Sequence, residues 1–284
     1  KNRGFELFSG GASMGKAYAS VINQYNRLKI PGLKIYNLII PNGFEFEVRE
    51  KYKNLAKPAK EAINEVFAAE DPEIIKINPV DELRRHRTEY LYFHTDHHWT
   101  SLGAYYAYKS FCASAGLTPE VLDSIPSKVK PNFLGFFYRL TKSAILKNNP
   151  DSVRYYLFPD SVNFFIGSKA IGYWALSHMY AEQASGDNSY SVFLQGDLPI
   201  CKMETQHKNG RRIVLVKESY GNAFAPFLIN NYEKVIVVDQ RSYKGDFINM
   251  LKAEGINELL FINNIFAAHT QFHIDDIKNL AFRG

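Results

Sequence analysis

The sequence predicts an α/β fold, a central parallel sheet with helices on both faces. Three apolar runs carry most of that prediction. Residues 212–216 run into Lys217-Glu218-Ser219, residues 235–238 into Asp239-Gln240-Arg241, and residues 259–262 into Asn263-Asn264. Continuous apolar runs of this length suit strands covered on both faces, as strands of parallel sheets are. The second observation is what lies between them. Residues 223–230 and 244–254 read as helices, and Gly255 stops the later one as a C-cap glycine does. The third is the spacing: strand–helix repeats this short imply right-handed crossovers within one sheet.

The N-terminal third adds units of the same kind. Residues 33–40 read as a strand closed by the turn signal Pro41-Asn42-Gly43. Residues 58–69 read as a helix with its proline in the first turn, and residues 74–77 as a short strand. Tyr90-Leu91-Tyr92-Phe93 is strand-like, and residues 101–115 read as a helix ended by Gly116. Residues 117–210 differ. They show no clear period, several prolines and many aromatics, among them Phe133, Phe136, Phe137, Tyr155 and Trp174. The stretch is too apolar for a disordered linker. It is expected to be an ordered insertion or small subdomain within a single domain spanning 1–284. Extra core packing and a lid or carbohydrate-facing surface are both open readings.

Composition narrows the function classes. The 46% hydrophobic and 22% charged residues are ordinary for a globular chain. The net charge of +5 is spread among acids rather than blocked, so no nucleic-acid footprint is expected. No apolar run approaches the roughly 18 residues a membrane helix needs. Cys112 and Cys201 leave a disulfide open and fix no compartment. The chain starts at Lys1 rather than methionine, so a trimmed or processed chain is expected, any signal or membrane anchor lying upstream.

The densest polar cluster is His94-Thr95-Asp96-His97-His98-Trp99-Thr100, between the strand-like residues 90–93 and the helix at 101–115. Such junctions are where α/β proteins place function. Three readings stay open on the residues alone. Asp96 or Thr100 caps the helix. Alternatively His94, Asp96, His97 and His98 hold a metal, with His269, His273 and Asp275 as a second candidate set. Or one carboxylate orients one imidazole, which deprotonates a distant hydroxyl. The last needs a serine at a strand end, and Ser219 meets that need. Its neighbours Tyr220 and Gly221 would open the next helix, so their amides are expected to stabilise an oxyanion.

Thr95-Asp96-His97-His98-Trp99-Thr100, followed by Ser101-Leu102-Gly103-Ala104-Tyr105-Tyr106-Ala107-Tyr108, resembles the signature of the bacterial DHHW protein family. Residues 217–228, from Lys217 through Ser219 to Leu228, resemble its second block, with Glu218 where aspartate is more usual. That family is similar to the periplasmic alginate O-acetylation proteins, whose Asp-x-His-Trp motif matches Asp96, His98 and Trp99 and whose serine matches Ser219. The resemblance implies an SGNH-hydrolase-like (flavodoxin-like) sheet, rearranged so that the Asp–His pair precedes the nucleophile. It implies Ser219 as nucleophile, His98 as base and Asp96 as orienter, with no catalytic role for His97. Arg241, Tyr220, Asn222, Asn263 and Asn264 would serve substrate binding and the oxyanion. The implied protein is extracytoplasmic, secreted or anchored at the cell envelope, and needs no cofactor or metal. Its implied function is carbohydrate O-acetyltransferase or O-acetyl esterase through an acyl-serine, its partners a carbohydrate polymer and an acyl donor. A competing expectation is a non-catalytic glycan-binding or envelope-assembly protein that keeps the fold. The distance from Ser219 to His98 separates the two.

Overall fold

The structure, a computed structural model, describes residues 2–158, 161–168 and 173–282. Its strands are β1 (Lys34–Ile40), β2 (Ile75–Ile77), β3 (Ser127–Phe133), β4 (Asp151–Tyr156), β5 (Asn163–Ser168), β6 (Tyr173–Ser177), β7 (Ile200–Glu204), β8 (Arg212–Lys217), β9 (Lys234–Asp239) and β10 (Glu258–Asn264). Eight form one sheet in the order β2-β1-β10-β8-β9-β7-β5-β6, and β3 and β4 pair as a separate antiparallel ribbon. The sheet is parallel from β2 through β9. Beyond β9 it continues antiparallel through β7, β5 and β6.

The apolar runs explain the layering. Successive side chains of a strand point to opposite faces. Ile213, Leu215, Val235, Val237, Leu260 and Ile262 enter one core, while Val214, Val216, Ile236, Val238, Leu259 and Phe261 enter the other. The first core is closed by the helix Ser101–Ala115, through Phe111 and Tyr108, and by Phe224 and Phe227. The second is closed by helices Ala12–Arg27, Ala59–Ala68, Phe247–Ala253 and Gln271–Ala281. The doubly wound sheet is therefore covered on both faces, as the sequence predicts.

Local differences have local causes. Residues 223–230 are not one α-helix. A single turn, Gly221–Phe224, gives way to a 3₁₀ segment, Ala225–Asn230, where Pro226 has no N–H to donate. The later helix starts at Phe247, where Asp246 accepts from the Asn249 amide at 2.9 Å. Residues 90–93 form only one bridge, Tyr92 to Trp99, rather than a strand. The helix Ser101–Ala115 begins on a Thr100 cap and ends at Gly116 with φ +66°. The 16-residue helix Ala12–Arg27 is missing from the sequence reading, and it buries Tyr18, Ile22 and Tyr25. The 117–210 stretch divides: β3, β4 and two short helices between them stand outside the central sheet, while β5, β6 and β7 join it. Cys112 and Cys201 are both free and buried. No helix among the described residues is long and apolar enough to cross a membrane.

Candidate active site

The Asp96–His98 segment is an irregular turn, held from outside by the 117–210 stretch. Asp151, the first residue of β4, accepts from the His94 amide at 2.9 Å, the Thr95 amide at 2.7 Å and the Thr95 hydroxyl at 2.6 Å. The Gly135 amide donates to Thr95 Oγ1 at 3.0 Å and the Phe136 amide to Asp96 Oδ2 at 2.7 Å. Gly135 has no room for a side chain, since a Cβ there would overlap Asp96. Trp99 is fully buried and donates from Nε1 to the Tyr220 carbonyl at 3.0 Å, tying this turn to the one that carries Ser219. Removing a buried Trp of this kind typically costs about 3–5 kcal/mol.

The three residues of the expected triad come together. Asp96 Oδ1 lies 2.6 Å from His98 Nδ1 and also accepts the His98 amide at 3.0 Å. His98 Nε2 lies 2.7 Å from Ser219 Oγ. With Asp96 accepting at Nδ1, neutral His98 keeps its proton there and offers the Nε2 lone pair to the serine. Tyr190 stacks on the imidazole at 4.0 Å between ring centroids and 14° between planes. Its hydroxyl donates to the Ser219 carbonyl at 3.2 Å. Burial works against an ionised Asp96, but the charge of His98 and its hydrogen bonds outweigh that, holding the carboxyl well below its usual range.

Ser219 follows β8 at the carboxyl edge of the sheet. Gly221 makes the turn possible, because a Cβ there would meet Lys217 Cβ at 2.5 Å. The expected oxyanion amides are not available. Tyr220 N donates to Glu218 Oε2 at 3.1 Å, and Gly221 N to the Glu218 carbonyl at 2.9 Å. The Glu218 side chain folds back over its own turn and takes the first of these donors. Side-chain donors that line the cleft include Arg139, Asn188, Ser191, Asn222 and Arg241.

The cleft at Ser219 has a volume of about 340 Å³, with Asp96, His98, Tyr190, Asp197, Asn222 and Arg241 in its walls. Arg241 pairs with Asp239 at 2.6 Å and Asp197 at 2.8 Å. The buried Lys217 ammonium sits between the same two acids, 2.9 Å from Asp239 and 3.2 Å from Asp197. Asn222 Nδ2 donates to Asp197 Oδ1 at 2.8 Å. Burial opposes ionisation of Asp197, yet Lys217 and Arg241 bring its pKa down to about 2. Three of the five expected substrate-binding residues are placed elsewhere. Tyr220 is 1% exposed and its hydroxyl donates to the His97 carbonyl. Asn263 is buried between Tyr18 and Gln240. Asn264 caps the following turn, its Oδ1 accepting from the Phe266 and Ala267 amides. Strand-end position suggested Asn263 and Asn264, and that position does not say which way a side chain turns. Sequence reasoning missed Gly135, Asp151, Tyr190 and Asp197. All four belong to the aperiodic stretch, where no pattern marks a turn-forming residue.

Asp96, His97 and His98 offer ligand atoms within 4.8 Å of one another, the geometric minimum for a cation. Both ring nitrogens of His98 are engaged, by Asp96 and Ser219, while His97 Nδ1 is buried without a partner. His94 stands outside this group. His269 lies in a 3₁₀ turn and His273 in the helix Gln271–Ala281, so the two do not share one helix face.

The family model described as DHHW protein matches residues 2–238. A DHHW family protein from Eubacterium siraeum is 29% identical, with a TM-score of 0.89 over 99% of this chain and 93% of its own. Bacillus cereus PatB1 with a sulfonyl adduct is 18% identical, with a TM-score of 0.78 over 97% of this chain and 94% of its own. The O-acetyltransferase domain of Pseudomonas putida AlgJ is 12% identical, with a TM-score of 0.50 over 98% and 99%. No curated protein matches the chain. The chain thus shares the α/β fold of these structures, with the mostly parallel central sheet that the sequence predicts.

Proposed function

The chain belongs to the DHHW protein family, and from that premise we propose that it is an extracytoplasmic carbohydrate O-acetyltransferase or O-acetyl esterase working through an acyl-serine. The observation that carries the proposal is the hydrogen-bonded line from Asp96 through His98 to Ser219, at 2.6 and 2.7 Å, on the wall of an open cleft. Ser219 Oγ attacks the acyl carbon of a donor while its proton passes to His98 Nε2, and Asp96 stabilises the imidazolium. Collapse of the tetrahedral intermediate returns that proton to the departing oxygen. In the second half the same imidazole deprotonates the acceptor: a sugar hydroxyl in a transferase, water in an esterase. The polar walls around Asn188, Asp197, Asn222 and Arg241 suit a hydroxyl-rich ligand. Acetyl is the acyl group best supported, because AlgJ's O-acetyltransferase domain shares the fold.

The test is incubation with an activated acetyl ester, followed by intact mass measurement and turnover assays. An acetyl adduct on Ser219 is expected. Ser219→Ala should lose the adduct and the turnover, and His98→Ala should lose about 10³ to 10⁶ in rate. Full activity in Ser219→Ala would remove the nucleophile and return the chain to the glycan-binding reading.

A further inference from the structure

Glu218 touches the nucleophile, and the reaction above leaves it without a role. It is 2% exposed. Its Oε1 accepts from the Asn264 amide at 2.9 Å. Its Oε2 accepts from the Tyr220 amide at 3.1 Å and lies 3.3 Å from Ser219 Oγ. An amide on each oxygen calls for a carboxylate, because a glutamine would set its NH₂ against one of the two N–H groups. The side chain thereby bolts the serine turn after β8 to the end of β10. Burial raises its pKa on balance, and the two amides and then His98 offset part of that rise. Ser219 has one proton and two acceptors, His98 Nε2 at 2.7 Å and Glu218 Oε2 at 3.3 Å.

Resting on the acyl-serine reading, we infer that Glu218 is a positioning residue that speeds the second half-reaction: its carboxylate accommodates the free serine hydroxyl and repels the acylated one. On acylation the Oγ–H bond breaks and the Oγ–C bond forms. The proton leaves through His98 Nε2 to the oxygen of the departing donor. The ester Oγ then carries lone pairs only, and Glu218 Oε2 faces it acceptor to acceptor. When the acceptor's oxygen displaces the serine, Oγ regains a proton from His98 and the contact turns attractive again. The repulsion raises the acyl-enzyme and is relieved as His98 hands Oγ its proton in the transition state that expels the serine, so it lowers the barrier to that expulsion.

Acylation and deacylation rates of the whole chain with an activated acetyl ester, followed by intact mass, test this. In Glu218→Gln, deacylation should fall about tenfold or more beyond any fall in acylation, the scale of one lost charge contact. Acetyl-Ser219 should then accumulate at steady state. Glu218→Asp keeps the charge one methylene further back and should fall between Gln and wild type. Equal losses in both steps would make Glu218 merely structural and overturn the inference, as would unchanged rates. If Glu218→Gln does not fold, the same comparison in Glu218→Asp decides. Ester turnover surviving in Ser219→Ala would sink the acyl-serine reading itself. An adduct on wild-type Ser219 with unaltered partitioning in the Glu218 variants would sink this inference alone.

Discussion

The two walls of the cleft are built in different ways. One wall is made by the ends of parallel strands: Ser219 and Asn222 after β8, Arg241 after β9. Its residues rest on the buried pair Lys217–Asp239, each 1% exposed, and their places follow from sheet register. The other wall comes from 117–210, from the end of β3, a short helix, a 3₁₀ segment and the loop after it: Phe133, Arg139, Asp187, Asn188, Tyr190, Ser191 and Asp197. There Leu194, Gln195 and Gly196 run at φ +53°, +61° and +88°, a left-handed path that only Gly adopts without strain. Asp197, the next residue, is pinned by Lys217, Arg241 and Asn222. The comparison teaches that the sheet places Ser219, while the 117–210 stretch sets the turn of Asp96 and His98 and shapes the space above it.

The sharpest way to break that division is Gly135→Ala. Gly135 belongs to the inserted stretch, yet its added Cβ would strike Asp96 and disturb the bond from the Phe136 amide. The triad residues would all still be present. Ester turnover should nevertheless fall about 10²-fold, the cost of misplacing a reacting group by about 1 Å. Circular dichroism and thermal melting should show the fold retained. Full activity in this variant would mean that the inserted stretch only covers the Asp96 turn and does not set it.

This division also explains what the sequence made legible. The strands at 212–216, 235–238 and 259–262 announce themselves because both faces of each are buried, leaving apolar runs without interruption. Ser219 announces itself at the end of one of those runs, and Asp96 and His98 as the densest polar cluster just before the helix Ser101–Ala115. Asp151 and Gly135 do not. They act through backbone hydrogen bonds and close approach to a turn distant in sequence, and nothing in their neighbours marks that. Asn263 shows the converse failure: a polar residue at a strand end that turns into the core to meet Tyr18 and Gln240. The Tyr220 amide was misread because Glu218 reaches back across its own turn, a contact that depends on one side-chain rotamer.

A smaller effect is expected where the two walls meet. Asp197→Asn removes one partner from Arg241 and weakens the hold on Lys217. Turnover of a small activated ester should change little. For a carbohydrate acceptor, KM should rise about tenfold, one charge-assisted contact's worth. A pH signature separates this from general damage. The Asp197 carboxyl is held below its ordinary value of 3.8, at about 2, so its ionised form stabilises the fold above about pH 4. That stability is lost as pH falls from about 4 to about 2. Urea midpoints of Asp197→Asn should therefore converge on wild type over that window, and parallel curves would show that the carboxylate holds nothing.

The smallest effect on rate should come from His97, beside His98. Its ring centroid is 4.0 Å from that of His98, and Phe136, Phe137 and Tyr220 also pack around it. Burial, then the charge of His98, pushes its pKa down from 6.5 to about 3. It is thus neutral at working pH and poorly suited to take a proton. Its carbonyl, not its ring, receives the Tyr220 hydroxyl, so a substitution keeps that bond. His97→Phe should alter ester turnover by less than about tenfold. It also removes a buried Nδ1 with no partner, which should leave stability unchanged or raise it by about 1 kcal/mol. The depressed pKa sets the sign with pH. Wild type keeps its full His97 contribution above about pH 6.5 and loses it as pH falls toward about 3, because the unfolded chain takes up the proton first. His97→Phe has no such loss, so its advantage in urea midpoint should widen on acidification. A loss of turnover as large as that of His98→Ala, accompanied by one bound metal ion per wild-type chain, would instead make Asp96, His97 and His98 a metal site.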